Sequence, residues 1–133
     1  QRLALKRFAR RNLINLLQDQ SILSGMGNYL CCEALHASKI HPRSRICDLN
    51  QAQLGLLAKN CLQLTTKSYR TGGITNTDNR VEQLKQQGAK FEDYRFQVYR
   101  RAGQVCYSCG EIIVKDTYAG RMAYICPGCQ KTG

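Results

Sequence analysis

Apolar residues recur at helical intervals through the N-terminal part of the chain, over residues 3–17, 30–37 and 54–62. Asn28 stands where it can cap the second of these segments, and Asp48 or Asn50 can cap the third. The pattern therefore predicts a mainly helical fold. In the third helix the residues expected to face the core are Leu54, Leu57, Ala58, Cys61 and Leu62.

The pattern changes from helical spacing to alternation near residue 94. Residues 95–99 alternate, which predicts a strand that turns Phe96 and Val98 inward. Residues 112–114 and 122–125 are short β-prone runs on either side of a turn at 118–121, which predicts a β-hairpin. We divide the chain into a helical domain over residues 1–93 and a lead-in strand with a hairpin over residues 94–133.

Four cysteines enclose the predicted hairpin in two C-x2-C pairs, Cys106 with Cys109 and Cys126 with Cys129. This spacing is typical of a tetrahedral site that holds one zinc ion. Such an ion would be structural, because four sulfurs leave no coordination position for water. Two disulfides are the alternative. Disulfides belong mainly to oxidising compartments, and residues 1–11 do not resemble a signal peptide. We therefore expect reduced thiols and an intracellular location.

The other cysteines lack such spacing, so we expect core positions or reduced thiols for Cys31, Cys32, Cys47 and Cys61. Cys32 and His36 are four residues apart on a helix, which could orient both toward a metal ion. No second pair accompanies them in the sequence, and a core role is favoured.

The charge balance indicates a polyanionic partner. Twenty Lys and Arg residues against nine Asp and Glu give a formal net charge of +11. Nucleic acid is favoured over a membrane surface, because the sequence has no transmembrane span and no basic helix with bulky aromatic anchors. Arg100 and Arg101 are candidates for phosphate contact, although a solvated charge pair is favoured.

Two glycines precede the helix that begins at Asn28. Such a turn exposes backbone amides at a helix N-terminus, which suits a phosphate group, so Gly25, Gly27 and Asn28 are candidate phosphate-binding residues. An ordinary glycine turn followed by a helix cap is the alternative. For Arg121, at the tip of the predicted hairpin, the alternative is a solvated turn residue.

Residues 16–35 and 40–42 resemble the helix-two-turn-helix element of the formamidopyrimidine-DNA glycosylase and endonuclease VIII family. Residues 106–113, 120–121 and 126–130 resemble the zinc finger of the same family. The resemblance implies a helix-two-turn-helix domain with a small zinc-stapled hairpin, in which Asn28 and Arg121 bind DNA phosphates beside the lesion. It also implies that Gly72, Gly73 and the loop to residue 79 close over the flipped-out base, with an ordinary connector as the alternative.

The resemblance further implies the activity of a longer protein. Family members begin with a Pro-Glu pair whose proline amine attacks the damaged nucleotide, whereas this chain starts at Gln1. We therefore expect the C-terminal half of a bifunctional DNA glycosylase and abasic-site lyase. The whole protein would act on oxidised bases in base-excision repair, and similarity to the endonuclease VIII branch suggests oxidised pyrimidines. It would bind double-stranded damaged DNA as a monomer.

By itself this half is expected to be inactive, because the N-terminal catalytic domain is missing. The location would be the cytoplasm or nucleoid if the protein is bacterial. The remaining alternatives are a non-catalytic zinc-ribbon module that binds nucleic acid and a protein-interaction scaffold.

Overall fold

The computed structural model describes residues 28–118 and 121–131. These residues form four α-helices, one short 3-10 helix and one two-stranded antiparallel sheet. The helices are α1 (Asn28–Ala37), α2 (Gln51–Thr71), α3 (Asp78–Gln86) and α4 (Phe91–Tyr94), the 3-10 helix spans Ile46–Asp48, and the strands are β1 (Val114–Tyr118) and β2 (Arg121–Ile125). The predicted fold class, mainly helical with a C-terminal hairpin, is confirmed. The helical segment predicted at 3–17 lies outside the described residues.

Helix α1 is the central element, since it packs against α2 on one side and against β2 on another. Five of its apolar residues are buried almost completely: Leu30, Cys31, Cys32, Ala34 and Leu35 are each at most 3% exposed. The helix ends where Lys39 takes a left-handed conformation with φ of 58° and the Ile40 amide donates to the Leu35 carbonyl at 3.0 Å. A polar side chain between Leu30 and Leu35 must therefore find its partners inside the protein.

Helix α2 begins at one of the two predicted caps. The Asn50 side chain accepts from the Gln53 amide at 2.8 Å, and the Gln53 side chain accepts from the Asn50 amide at 2.9 Å. This reciprocal pair is a capping box, so Asn50 caps the helix and Asp48 does not.

The inward side of α2 differs in part from the prediction. Leu57 is buried, and Leu54 and Cys61 are half-buried as expected. The expectation for Ala58 and Leu62 is wrong, because Ala58 is exposed and Leu62 is 70% exposed. The inward positions continue three and four residues apart to Leu64, which packs against the core.

The segment that follows α4 is irregular, so the strand predicted over residues 95–99 is wrong. Phe96 and Val98 do point inward, with 3% and 0% exposure. The amides of residues 97–99 donate to the carboxylate of Glu33 rather than to a neighbouring strand. The alternation in the sequence therefore predicted correctly which side chains are buried, but it predicted wrongly that this backbone pairs as a strand.

The predicted hairpin is confirmed, with a shifted first strand. In the antiparallel register Val114 lies opposite Ile125, and Tyr118 lies opposite Arg121. The run at 112–114 lies mostly ahead of β1, because residues 112 and 113 are bound to the segment before the first cysteine pair. Ile112 forms a bridge with residue 105, while the residue 103 amide donates to the residue 113 carbonyl at 2.8 Å.

One hydrophobic core joins the helices to the hairpin. It contains buried side chains from α1, α2, the segment 96–98 and both sides of the hairpin, namely Cys31, Cys32, Ala34, Leu35, Ile40, Leu57, Val98, Cys106, Ile113, Ala123, Ile125 and Cys126. The domain boundary near residue 93 stays a prediction, and the described residues on its two sides share this core. None of the helices in the described ranges is long and apolar enough to cross a bilayer.

Candidate metal centre and nucleic-acid interface

The two C-x2-C pairs converge at the base of the hairpin. The sulfur atoms of Cys106, Cys109, Cys126 and Cys129 all lie within 4.8 Å of one another. The Sγ atoms of Cys106 and Cys129 are 3.8 Å apart, and those of Cys109 and Cys126 are 3.2 Å apart. A disulfide bond measures about 2.05 Å, so these distances describe separate thiols around a common centre and exclude the disulfide alternative in this structure.

Local backbone geometry aims the sulfurs at this centre. The Cys106 amide donates to the Glu111 carbonyl at 2.8 Å, and the Ser108 amide donates to the Cys106 sulfur at 3.4 Å. In the second pair a Cβ at Gly128 would lie 2.7 Å from the Cys109 sulfur, so a larger residue would displace that sulfur. The glycine is therefore required by the close approach of the two turns.

The chemistry of the four thiols suits a divalent cation. Burial raises the pKa of Cys106, but the Cys109 and Ser108 backbone amides and the neighbouring thiols outweigh it, and the pKa falls to about 7. Burial, and then the nearby Cys109 thiol, raise the pKa of Cys129. The thiols cannot all ionise together without a positive charge between them, and a tetrahedral metal ion supplies that charge.

The cysteine cluster is attached to the helical part through buried polar contacts. The Gln130 side chain accepts from the Cys126 amide at 2.9 Å and donates to the Ile40 carbonyl at 3.0 Å. On the other side of the centre, Nε2 of His36 lies 3.7 Å from the Cys106 sulfur. Gln130 thus ties the second cysteine pair to the turn after α1, and His36 of α1 contacts the first pair.

His36 carries a buried imidazole on the last turn of α1. Burial, followed by the positive charges of Arg101 and Lys39, lowers the pKa of His36 to about 4. Cys32 faces the same core, yet the structure brings the histidine to Cys106 and not into a Cys32–His36 metal pair. The four-thiol group is the one metal-competent cluster of this kind among residues 28–118 and 121–131.

The two arginines ahead of the hairpin differ sharply. Arg100 is exposed, has a φ of 61° and lies 3.7 Å from the Glu92 carboxylate. Arg101 is 6% exposed, donates to the carbonyls of Gln97 and Val105, and stacks 3.8 Å from the Tyr107 ring centre. The prediction of a solvated charge pair is therefore wrong for Arg101, whose guanidinium holds the backbone before the first cysteine pair.

The loop that follows α2 is firmly anchored. Gly72 ends the helix with a φ of 76°, and Gly73 has a φ of 117°. The Gly73 carbonyl accepts a hydrogen bond from Arg95 Nε at 3.0 Å. Thr75 and Asn76 are buried, and the Asn76 side chain donates to the Tyr94 carbonyl at 3.1 Å. The structure therefore fixes this loop at several points.

Glu33 organises this region from the middle of α1. One of its oxygens accepts from the Thr75 hydroxyl at 2.6 Å and the Gln97 amide at 2.7 Å. The other accepts from the Val98 and Tyr99 amides at 2.7 and 3.1 Å. Burial raises the pKa of the Glu33 carboxyl, and these four donors oppose that rise.

Sequence reasoning missed Glu33, and one signal could have found it. An acid stands in the middle of an otherwise apolar helical run from residue 30 to residue 35, which already implies a buried carboxyl with dedicated partners. Arg101 and Gln130 had no comparable signal, because each lies in a polar stretch where exposure is the default.

The predicted phosphate-binding residues are described only in part. Asn28 is the first residue of α1, as expected for a helix that starts there, and Arg121 is the first residue of β2. Gly25 and Gly27 lie outside the described residues. The roles of these residues in DNA binding stay predictions, as do those of Gly72 and Gly73.

The helices and the hairpin with four clustered cysteines together narrow the class of protein to metal-binding helical proteins. Comparison with family models identifies the family. Residues 2–80 match the family described as the formamidopyrimidine-DNA glycosylase H2TH domain. The chain belongs to this family, which confirms the resemblance noted in the sequence.

Individual relatives and solved structures agree with this assignment. Endonuclease 8 of Escherichia coli is 42% identical over 130 residues, and Endonuclease 8 of Salmonella arizonae is 41% identical over the same length. These matches cover 98% of this chain and 46% of each relative, so the chain spans about half the length of these relatives.

Two solved structures of Lactococcus lactis Fpg (MutM) share the fold at 26% identity. The complex with a FAPY-dG-containing DNA gives a TM-score of 0.76, covering 98% of this chain and 47% of the other. The protein bound non-covalently to DNA containing an AP site gives 0.74, with 98% and 45% covered.

Proposed function

We propose that this chain is the DNA-binding portion of a bifunctional DNA glycosylase and abasic-site lyase that acts on oxidised bases in base-excision repair. The family match and the two complexes of Lactococcus lactis Fpg with damaged DNA support this proposal. The observation that carries it is the shared core: α1, which begins at Asn28, and the hairpin, whose second strand begins at Arg121, pack against each other around one metal-competent cluster. The chain binds double-stranded DNA as a monomer, together with the remainder of the protein.

Asn28 and Arg121 each contribute a donor to the DNA backbone in this proposal. Asparagine at a helix N-terminus adds an amide donor to the free backbone N–H groups, and Gly25 and Gly27 let the phosphate approach them. The Arg121 guanidinium can bind two phosphate oxygens at once. The net charge of +11 supports a polyanionic ligand of this kind.

The bound metal is zinc, and its role is structural. Cys106, Cys109, Cys126 and Cys129 would hold it, and four thiolates complete a tetrahedral shell without a place for water or substrate. The metal supplies the positive charge that keeps the sulfurs together. The chain's own contribution is to fix the base of the hairpin, and through it the position of Arg121.

The loop from Gly72 to Asn79 faces the damaged nucleotide in this proposal. The buried Thr75 and Asn76 side chains anchor its middle to Glu33 and to the Tyr94 carbonyl. A loop held in this way can present the exposed residues around Thr77 to a flipped-out base without first becoming ordered.

The test is a binding titration of this chain with a duplex that contains an abasic-site analogue and with the matching undamaged duplex, at several salt concentrations. We expect tighter binding to the abasic duplex and a steep decrease with salt. Arg121→Ala is expected to weaken binding and to reduce the log-log salt slope by about 0.9, because one phosphate contact is lost. Asn28→Ala is expected to weaken binding with little change in slope, since the asparagine is neutral.

Arg45→Ala is the matched control for Arg121→Ala. Arg45 is exposed and bonded to Asp48 at 3.2 Å, so its removal takes away the same charge at a position with no proposed phosphate. Equal losses for the two arginine variants, or equal binding of the two duplexes by the unaltered chain, would reject the proposed phosphate contacts and leave a general basic surface.

A further inference from the structure

The imidazole of His36 is buried against the proposed metal centre. The residue is 5% exposed on the last turn of α1, and its Nε2 atom lies 3.7 Å from the Cys106 sulfur. Its other ring nitrogen, Nδ1, is buried and has no hydrogen-bond partner among the described residues. The contact with sulfur is thus the polar interaction that this side chain makes.

The protonation of the sulfur decides the direction of this contact. A neutral imidazole carries one N–H and one lone pair, and either nitrogen can hold the hydrogen. A cysteine bound to a metal is a thiolate, which has no proton to give. Two lone pairs facing each other would repel, so the contact is attractive only when the hydrogen is on Nε2.

We propose that His36 is a positioning residue of the metal centre, whose Nε2–H donates a hydrogen bond to the Cys106 thiolate. The inference rests on the proposed zinc site and adds a fifth residue to it. His36 does not act as a ligand. The four sulfurs already complete a tetrahedral shell and form the cluster whose members all lie within 4.8 Å of one another.

This hydrogen bond has two physical consequences. It offsets part of the negative charge that four thiolates place around one divalent ion, and it fixes the orientation of the Cys106 side chain. It also connects the first cysteine pair directly to α1, because Cys106 is seventy positions away from His36 in the sequence. Loss of the donor therefore weakens metal binding even though every ligand remains.

The experiment measures zinc affinity of the whole chain by competition with a chromophoric chelator. His36→Phe keeps a planar ring of similar size and removes the donor, and we expect zinc affinity about 10–100-fold lower. His36→Gln places an amide N–H near the position of Nε2, and we expect affinity within about threefold of the unaltered chain. His41→Phe is the control, since that histidine is half-buried in the turn after α1 and accepts from the Arg43 amide.

Cobalt substitution separates the hydrogen bond from packing. The sulfur-to-cobalt charge-transfer band depends on the electron density of the thiolates, so we expect it to shift in His36→Phe and to stay in place in His36→Gln and His41→Phe. Unchanged zinc affinity and an unmoved band in His36→Phe would overturn the inference. Equal losses in the Phe and Gln variants would overturn it as well, because they would show a requirement for imidazole packing.

A nitrogen NMR measurement on the unaltered chain tests the same inference without any variant that could fail to fold. In the zinc-loaded chain we expect the His36 hydrogen on Nε2, and a hydrogen on Nδ1 would overturn the inference. A chain that binds no zinc would overturn both this inference and the proposed metal site. Normal zinc binding with the hydrogen on Nδ1 would reject His36 alone.

Discussion

Replacing Glu33 with glutamine tests the hydrogen bonds that join α1 to the segment before the hairpin. The carboxyl group accepts hydrogen bonds from three backbone amides, those of Gln97, Val98 and Tyr99, and it also contacts the Thr75 hydroxyl. If the carboxyl is protonated, its O–H can point to the Thr75 oxygen while the Thr75 hydroxyl donates to a carbonyl 3.2 Å away. All three amides therefore keep an acceptor in either protonation state of Glu33.

Glutamine cannot do the same. Its NH₂ group replaces one of the two oxygens, and that group donates hydrogen bonds but does not accept them. In the less costly orientation the NH₂ group faces Thr75, and the Gln97 amide alone loses its acceptor. A buried unsatisfied donor costs about 1–3 kcal/mol, so we expect Glu33→Gln to lower the free energy of unfolding by about 2 kcal/mol.

Urea unfolding of the zinc-loaded chain, followed by circular dichroism, measures this loss. With a slope of about 2 kcal/mol per molar urea, the midpoint should fall by about 1 M. Glu82→Gln makes the same chemical change at an exposed site on α3 and should leave the midpoint unchanged. A Glu33→Gln midpoint equal to that of Glu82→Gln would refute the assignment of Glu33 as the acceptor for the backbone.

Three further outcomes are expected. Gly73→Ala should destabilise the chain by about 3 kcal/mol in the same urea assay, since φ is 117° and the added Cβ meets a side chain, whereas Gly72→Ala, at 76° with open space, should cost about 1 kcal/mol; equal losses would contradict this. With metal bound, an alkylating reagent at about pH 8 should modify exposed Cys47 and spare Cys31 and Cys32, because burial raises the pKa of both buried thiols to about 12. Mass spectrometry measures the order of modification, and early alkylation of Cys31 or Cys32 would contradict this prediction. Removal of the metal by a strong chelator should abolish amide exchange protection in β1 and β2, and preserved protection would argue against a structural metal.

Features encoded within a few neighbouring residues were predictable from the sequence. The C-x2-C spacing indicated a cluster, and the structure brings the four sulfurs together. The β-prone runs indicated the hairpin, and Asn50, one of the two predicted caps, is the N-cap of α2. Each of these signals depends on local geometry that a short sequence fully specifies.

Features that depend on distant partners were not predictable in the same way. The alternation at 95–99 showed which side chains are buried, but the amides of this segment bind Glu33, which is more than sixty positions earlier. Arg101 was expected in solvent because arginine usually is, and the carbonyls that hold it come together only in the folded chain. The side on which Ala58 and Leu62 lie was likewise set by how α2 rests on α1.

The shared core has a consequence for protein engineering. On the inner side of the hairpin, Ile113, Ala123 and Ile125 are buried in the core that also contains α1 residues, and β2 packs against α1. A peptide cut from residues 103–131 would keep all four thiols but expose those apolar side chains, so it would coordinate zinc without acquiring a unique shape. Transplanting this hairpin into another protein therefore requires a recipient surface shaped like α1.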